Sequence, residues 1–270
     1  MASVPTTGVA VTAIGVAVIR AWEGERVDRL YEDPLAGAFV AAARAGFPAE
    51  RWERLTALAG EFAAGRTVAV RLVDDRVRAG VADGLRQIVL IGAGLDTRAF
   101  RMGLPGEVTV FEIDLPETFA FKEPVLAGAV PSCRREVVAV DLRGDWETPL
   151  LERGFRPELP TLWIDEGSLG HLTEEWNQGV VRTLTALSAP GSRFATDRVA
   201  ADQDATRYRD LRTLVGTPGR TEDAVFDVER WLRDLGWQTE FRAWNEAVEP
   251  FGRDVALPDP AVGTIHAVRR

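Results

Sequence analysis

Short apolar runs, separated by helical stretches, follow one another from about residue 85 to the end of the chain. The first and fourth runs are almost continuously apolar, as in central strands of a parallel sheet that is covered on both faces. The last two alternate polar and apolar residues, as in an edge strand or an antiparallel pair. The pattern therefore predicts an α/β fold with a Rossmann-like, doubly wound and mostly parallel sheet. Its seven strands are predicted over residues 87–91, 108–113, 136–140, 161–164, 193–196, 238–243 and 264–268.

The residues ahead of the sheet carry helical patterns and are interpreted as an N-terminal helical cap over residues 1–84. The apolar stretch 8–19 is too short to cross a bilayer and lacks the basic segment of a signal peptide. It therefore predicts a packed helix in a cytoplasmic protein without a membrane partner. Further helices are predicted over residues 22–30, 34–45, 50–66 and 68–83.

The rest of the chain is interpreted as three further segments of the same structural domain. Residues 85–199 form a cofactor-binding core, residues 200–235 resemble a lid or acceptor-binding insert, and residues 236–270 supply the last two strands. In the insert, Asp202 and Asp204 could coordinate a divalent cation, but no glycine-centred loop with a terminal glutamate follows them. We interpret both as lid surface and predict no metal site.

Charge and cysteine content narrow the classes of function. The 270 residues include 32 basic and 41 acidic side chains, which give a net charge of −9. This is the wrong sign for a protein that holds nucleic acid through its phosphates, so no nucleic-acid partner is expected. Cys133 is the single cysteine, which excludes an intrachain disulfide and a cysteine-based zinc site and fits a reducing compartment.

The first predicted strand runs into a glycine turn and then into a helix. Gly92 and Gly94 would let a ligand approach the backbone, and the helix would offer unpaired N–H groups. A dinucleotide fingerprint would have a third glycine where this chain has Thr97, which disfavours a pyrophosphate ligand. The alternative is a tight strand-to-helix turn that binds nothing.

Polar residues at the ends of the next two strands favour a bound nucleoside. Asp114 lies twenty residues after Gly94, a spacing at which an acid can bond both ribose hydroxyls. Glu112 lies in the same strand, and one of these acids could simply end it. After the third strand, Asp141 could accept the adenine amino group and Leu142 could cover the ring. Ligand-type residues at three successive strand ends are more specific than any one of them.

Several segments together resemble a known family. In order and spacing, the chain is similar to the leucine carboxyl methyltransferase-like, S-adenosylmethionine-dependent methyltransferases in its segments VLIGAGLDTRAFR, FEIDLPE, VAVDLR and LPTLWIDEGSLGHLTEE. The pairs Asp33-Pro34 and Gly236-Trp237 and the triplet Phe251-Gly252-Arg253 also match. The resemblance therefore covers nearly the whole chain.

The resemblance implies that S-adenosylmethionine is the cofactor. It places Gly92 and Gly94 along the methionine portion and Asp114 on the ribose. It further implies that Asp141 and Leu142 frame the adenine.

Two charged contacts to the amino-acid end of the cofactor are also implied. Glu166, after the fourth strand, would lie near the amino group, and an arginine of the preceding helix would pair with the carboxylate. We expect Arg71 in this role. Relatives carry that arginine about five residues before an Asp-Asp pair, whereas Arg71 precedes Asp74 by three. Arg66 is the alternative, and a solvated helix charge is the ordinary role for Arg71.

The largest departure from relatives lies beside Glu166. Relatives tend to read WIAEGLLMYL where this chain reads WIDEGSLGHL, which introduces Asp165, Ser168, Gly170 and His171. These changes would enlarge and polarise the wall that faces the acceptor. Imidazole titrates near neutrality, so His171 is a candidate catalytic base for an acceptor hydroxyl. The alternative is that His171 packs like the tyrosine it replaces.

We therefore expect an S-adenosylmethionine-dependent O-methyltransferase that modifies a carboxylate or hydroxyl of a small molecule, such as a polyketide-like natural-product intermediate. Trp176 and Trp244 could stack on a flat acceptor, and the alternative for both is a place in the hydrophobic core. One alternative is a recruited member that binds the cofactor but catalyses a cyclisation or elimination. Another is a partner-binding module that uses the fold as a scaffold. No oligomeric state is predicted.

Overall fold

A computed structural model describes residues 4–6, 8–198, 206–216, 227–253 and 263–270. Its strands are β1 (Gln87–Ile91), β2 (Thr109–Asp114), β3 (Arg134–Ala139), β4 (Thr161–Asp165), β5 (Arg193–Arg198), β6 (Trp237–Ala243) and β7 (Gly263–Arg269). They form one seven-stranded sheet in the order β3-β2-β1-β4-β5-β7-β6. The predicted doubly wound, mostly parallel sheet is confirmed, and every strand end lies within two residues of its predicted position.

The last strand in sequence is not at the edge of the sheet. β7 lies between β5 and β6 and is antiparallel to both, whereas the other neighbouring pairs are parallel. Its Ile265 and Ala267 are buried. The antiparallel pairing of the last two strands is therefore as predicted, and of these two strands β6 alone lies at an edge of the sheet.

The parallel strands β1 to β5 all end at the same edge of the sheet, and the loops that follow them begin there. β1 lies between β2 and β4, so the chain winds to opposite sides of it, and ligands of such sheets bind beyond the carboxyl ends of the strands. The same edge also receives the end of β6 and the start of β7, because Gly263 pairs with both Arg198 and Ala243. We call this side the carboxyl edge.

Apolar side chains cover both faces of the sheet. On one face, Phe111 and Ile113 of β2 pack in a cluster with Trp163 of β4. On the other face, Ile88 of β1 packs with Leu162 of β4. Alternate residues of a strand thus enter different clusters, as the pleat requires. This two-sided burial explains the continuous apolar runs in β1 and β4.

Among the described residues, three helices precede the sheet: α1 (Ala10–Gly24), α2 (Ala36–Gly46) and α3 (Ala49–Ala82). The apolar N-terminal stretch forms most of α1, whose Val11 and Ile14 are fully buried. The prediction of a packed helix there is confirmed.

One predicted helix and one predicted division between helices are wrong. The predicted helix 22–30 ends early, because the segment after α1 is irregular and side-chain carboxylates satisfy its backbone. Glu23 accepts a hydrogen bond of 2.5 Å from the backbone N–H of Leu30, and Asp33 accepts two from the start of the next turn. The predicted helices 50–66 and 68–83 are one helix, in which the intervening Thr67 is buried.

The later helices are α4 (Arg98–Arg101), α5 (Pro116–Leu126), α6 (Glu147–Glu152), α7 (Glu174–Ala186), α8 (Thr206–Val215), α9 (Val228–Asp234) and α10 (Trp244–Val248). α8 lies in the predicted insert and packs on the N-terminal helices, where Arg51 donates a hydrogen bond of 2.6 Å to the carbonyl of Leu214. Asp202 and Asp204 lie outside the described residues. The division of the domain into cap, core, insert and final strands remains a prediction.

Candidate active site

The turn after β1 depends on two glycines in left-handed backbone conformations. The angle φ is +65° at Gly92 and +52° at Gly94, a region that residues with side chains rarely adopt. The N–H of Ala93 donates to the carbonyl of Ile113 at 2.9 Å, and the N–H of Gly94 donates to the carboxylate of Asp114 at 2.6 Å. The glycine turn is therefore bound directly to the end of β2.

Asp114, rather than Glu112, is the acid that faces this turn. Its second oxygen accepts hydrogen bonds from the N–H of Leu115 at 2.7 Å and from Oγ1 of Thr118 at 2.8 Å. Glu112 is fully buried and lies 2.7 Å from Nζ of Lys122. The sequence could not distinguish the two acids, since alternate residues share one face of a strand. In the fold, Asp114 is half-buried at the carboxyl edge and Glu112 is enclosed.

The segment after β3 lies beside Asp114. The N–H of Val140 donates to the backbone carbonyl of Asp114 at 2.8 Å. Asp141 follows and is bound by Arg143, with Nη2 and Oδ2 2.5 Å apart, and this hydrogen bond lowers the pKa of Asp141. Leu142 packs partly buried against the core. The structure thus brings the residues predicted for ribose and adenine to one stretch of the carboxyl edge.

Glu166 follows β4 and is held from the protein side by Arg98. The Glu166 side chain is 24% exposed and forms an ion pair with Nη1 of Arg98, which is 3% exposed. Arg98 also pairs with Asp74 at 2.8 Å and with Asp96 at 2.5 Å. Burial alone would lower the pKa of Arg98, but the three carboxylates raise it well above its usual value. Glu166 is therefore an anchored acid that still has an exposed side.

The ion pairs continue from Arg98 into a buried group that sequence reasoning missed. Asp74 of α3 also accepts hydrogen bonds of 2.6 and 2.7 Å from Arg101. Arg101 lies 3.9 Å from Asp33, which pairs with Arg20 of α1 at 2.9 Å. The spacing of Arg98 and Arg101 on α4 places them on one face, but no pattern indicated their distant partners. We call this group the arginine cluster: Arg20, Arg98, Arg101, Asp33, Asp74, Asp96 and Glu166.

Arg71 and Arg66 make different contacts. Arg71 pairs with Asp75 at 2.9 Å and donates a hydrogen bond of 3.0 Å to the carbonyl of Leu30. Arg66 donates a hydrogen bond of 3.4 Å to the carbonyl of Glu166, and no carboxylate of the described residues pairs with it. The structure brings Arg66, and not Arg71, next to Glu166.

Ala69 of α3 lies five residues before Asp74. Arg66 lies three residues earlier and so shares a helix face with Ala69. Both line a narrow cleft together with Glu166 and Trp244. The indole N–H of Trp244 donates to Oγ1 of Thr264 at 3.0 Å, which fixes the ring at the start of β7.

The wall beyond Glu166 contains the short 3-10 helix Leu169–His171. His171 is exposed at its end. Partial desolvation by the surrounding chain lowers the pKa of His171, the charge of Arg66 lowers it further, and the carboxylate of Asp165 opposes both. The lowered pKa favours the neutral imidazole, the form that can accept a proton. Trp176, near the start of α7, is 41% exposed.

The described residues include neither a metal-binding group of side chains nor a helix that could span a membrane. Within residues 8–198 and the other described segments, no three His, Cys, Asp or Glu side chains are grouped so as to hold a metal ion. Over the same part of the chain, no helix has an apolar stretch long enough to cross a bilayer. The candidate site is built from carboxylates, arginines, one imidazole and backbone N–H groups.

Solved structures share this fold at low sequence identity. A DUF574 family protein from Streptomyces avermitilis matches with a TM-score of 0.56 and 17% identity, over 94% of this chain and 97% of that one. A provisionally named methyltransferase from Thermobifida fusca matches with a TM-score of 0.54 and 19% identity, over 98% of this chain and 95% of that one. At these identities the likeness concerns the fold alone.

Sequence relatives are much closer. A protein of Parafrankia sp., provisionally named an S-adenosyl-L-methionine-dependent methyltransferase, is 40% identical over 241 residues, which cover 86% of this chain and 78% of the relative. A protein of Mycolicibacterium smegmatis with the same provisional name is 38% identical over 91% of this chain and 89% of the relative. The leucine carboxyl methyltransferase family model matches residues 13–185. The chain therefore belongs to the leucine carboxyl methyltransferase family of S-adenosyl-L-methionine-dependent methyltransferases.

Proposed function

We propose that this methyltransferase is an O-methyltransferase that modifies a carboxylate or hydroxyl of a small molecule, such as a natural-product intermediate, in the cytoplasm. The proposal is carried by the convergence of Gly94, Asp114 and Glu166 at one edge of the sheet. The first two are joined by a hydrogen bond of 2.6 Å, and the third is the exposed end of the arginine cluster. A backbone turn flanked by two acids suits a ligand with a ribose and an ammonium group.

The nucleoside portion is assigned to three strand ends. Asp114 would bind the ribose hydroxyls, Asp141 and Leu142 would frame the adenine, and Gly92 and Gly94 would line the methionine portion. A carboxylate has about four acceptor positions, and three on Asp114 are already used. Binding both ribose hydroxyls would therefore displace one present donor. The N–H of Gly94 suits this exchange, because its turn contacts the ligand.

The amino-acid portion is assigned to Glu166 and Arg66. The arginine cluster contains three arginines and four carboxylates, so one negative charge is not balanced within it. Glu166 is its most exposed acid, at 24%, and an ammonium group would complete the balance there. Arg66, without a carboxylate partner among the described residues, is proposed for the cofactor carboxylate in place of Arg71.

Methyl transfer is an in-line displacement, in which the bond from carbon to the acceptor oxygen forms while the bond from carbon to sulfur breaks. The bound cofactor supplies the electrophilic methyl group. The protein has to hold donor and acceptor in line, and such positioning can lower a barrier by about 7–11 kcal/mol. A carboxylate acceptor needs no base. A hydroxyl acceptor loses a proton, and the neutral imidazole of His171 is proposed to accept it.

The choice between the two arginines can be tested by titration calorimetry with S-adenosylhomocysteine. Arg66→Ala is expected to weaken binding roughly 10- to 100-fold, since a hydrogen bond to a charged group contributes about 1.5–3 kcal/mol. Arg71→Ala is the matched control from the same helix and is expected to change affinity less than about twofold. If Arg71→Ala weakens binding more than Arg66→Ala does, Arg71 and not Arg66 binds the cofactor carboxylate.

The role of His171 can be tested with paired acceptors. For a hydroxyl acceptor, His171→Phe is expected to lower kcat by about 100-fold or more, because the base is lost. For a carboxylate acceptor, kcat is expected to stay nearly unchanged. With the hydroxyl acceptor, the wild-type rate is expected to fall as the pH falls through the pKa of His171, which lies below the usual value for an imidazole. A His171→Phe variant that keeps this pH profile would show that the imidazole only packs.

The proposed function itself is tested by calorimetry and product analysis. Folded protein is expected to bind S-adenosylmethionine, and a screen of phenols, alcohols and carboxylic acids is expected to release S-adenosylhomocysteine and form a methyl ether or ester. Absence of cofactor binding would end the proposal. Conversion of an acceptor without S-adenosylhomocysteine would instead favour a cyclisation or elimination.

A further inference from the structure

Asp165 ends β4 one residue before Glu166, and its carboxylate is buried at the carboxyl edge. One oxygen accepts hydrogen bonds from the N–H of Ser168 at 2.9 Å and of Leu169 at 3.2 Å. The other accepts one of 3.0 Å from Oγ1 of Thr196 in β5. Burial raises the pKa of Asp165, while these hydrogen bonds favour the charged form. A carboxylate at this depth is tolerated only with such partners, so the surrounding segments are ordered around it.

Ser168 joins this carboxylate to the glycine turn. Its Oγ lies 2.6 Å from Oδ1 of Asp165 and 2.9 Å from the carbonyl of Ile91, the last residue of β1. Both partners are acceptors and the hydroxyl has a single proton, which it donates to one of them or shares between the two, so Oγ lies between the ends of β4 and β1. A Cβ placed on Gly92 would overlap the Cβ of Ser168. The segment after β4 thus approaches the turn as closely as a glycine at that position allows.

The bridge depends on the side chains of two residues. Asp165 supplies the carboxylate acceptor, and Ser168 supplies the hydroxyl. An alanine at position 168 would have no hydroxyl to donate. Here directional hydrogen bonds fix the junction between the turn and Glu166.

We propose that Asp165 and Ser168 are positioning residues that set the spacing between the glycine turn and Glu166, and thereby the recognition of the amino-acid tail of S-adenosylmethionine. The inference rests on the proposed function, because it takes that tail to lie between these two elements. The bridge lies between β1, β4 and β5, whereas the adenosine contacts proposed above follow β2 and β3. Its loss should therefore affect the tail and spare the adenosine portion.

The test compares two ligands by titration calorimetry. S-adenosylhomocysteine carries the amino-acid tail, and 5′-methylthioadenosine lacks it. Ser168→Ala removes Oγ and keeps Cβ, and it is expected to weaken S-adenosylhomocysteine about tenfold, the effect of one hydrogen bond to a charged group. The affinity for 5′-methylthioadenosine is expected to change less than about twofold. Asp165→Asn, which keeps the shape of the side chain, is likewise expected to weaken S-adenosylhomocysteine more than 5′-methylthioadenosine.

Thr196→Val is the matched control, because it removes a donor to the same carboxylate on the side of β5 and nearly keeps the side-chain shape. It is expected to leave the ratio of the two affinities unchanged, and urea unfolding compares the stabilities of all variants. Equal weakening of both ligands by Ser168→Ala and Asp165→Asn, or no weakening, would overturn the positioning role while the proposed function stands. If the wild-type protein binds neither ligand, the proposed function fails as well.

Discussion

Asp114→Ala is expected to weaken the binding of S-adenosylmethionine by about 100-fold or more. Two ribose hydroxyls bonded to one carboxylate contribute about 1.5–3 kcal/mol each, so the loss is about 3–6 kcal/mol. The variant also removes the acceptor for the N–H of Gly94, which lies 2.6 Å from the carboxylate. Titration calorimetry measures the affinity, and circular dichroism checks that the sheet is intact.

Glu117→Ala is the control for this prediction. Glu117 is an exposed acid in the first turn of α5, three residues after Asp114, so its removal changes the net charge equally. Its affinity is expected to stay within about twofold of the wild type, because screened surface charges interact weakly. An Asp114→Ala protein that is folded and binds with unchanged affinity would remove Asp114 from the site.

Asp74→Ala is expected to lower the free energy of unfolding by about 3–5 kcal/mol, because it leaves buried arginines without their partner. Asp74 is fully buried and accepts hydrogen bonds from both Arg98 and Arg101. The neighbouring Asp75→Ala is the matched control: its side chain is 41% exposed and pairs with Arg71, so a loss of about 0–1 kcal/mol is expected. Urea unfolding of both variants measures the difference. Equal losses would show that the arginine cluster is not a stabilising unit.

Asp74 also determines how the free energy of unfolding depends on pH. Burial alone would raise the pKa of Asp74, but Arg98 and Arg101 lower it below its usual value. A depressed pKa in the folded state stabilises the protein above the unfolded-state pKa of about 3.9. This contribution is lost as the pH falls from there through the lower folded-state pKa. The stability difference between the wild type and Asp74→Ala should therefore shrink on acidification.

The sheet could be predicted from the sequence because its strands are short, apolar and buried on both faces. β1 begins and ends at its predicted residues, 87 and 91. The helices were less predictable, since tertiary contacts decide where they end. Residues 25–35 are irregular because Glu23 and Asp33 bind their backbone, and α3 continues through Thr67 because packing favours it. Such long-range partners leave no local pattern.

Some residues of the candidate site could also be predicted from the sequence, and others could not. Gly94 and Asp114 could be chosen from spacing along the chain, because strand ends in a parallel sheet meet at one edge. The buried partners of Arg98 could not, since Asp74 and Glu166 approach it from distant parts of the chain. The sequence alone did not favour Arg66 over Arg71. The contact between Arg66 and the carbonyl of Glu166, which depends on how the helix is turned, favours Arg66.

The enclosed ion pair of Glu112 and Lys122 has a consequence for how the sheet assembles. A slip of β2 by two residues along its neighbours would keep every apolar side chain on its proper face, so hydrophobic matching alone tolerates that mistake. The slip would, however, carry Glu112 away from Lys122, which lies 2.7 Å from it, and leave this fully buried ammonium group without the carboxylate that it pairs with. The ion pair of the chain's single lysine thus disfavours a two-residue misalignment of β2.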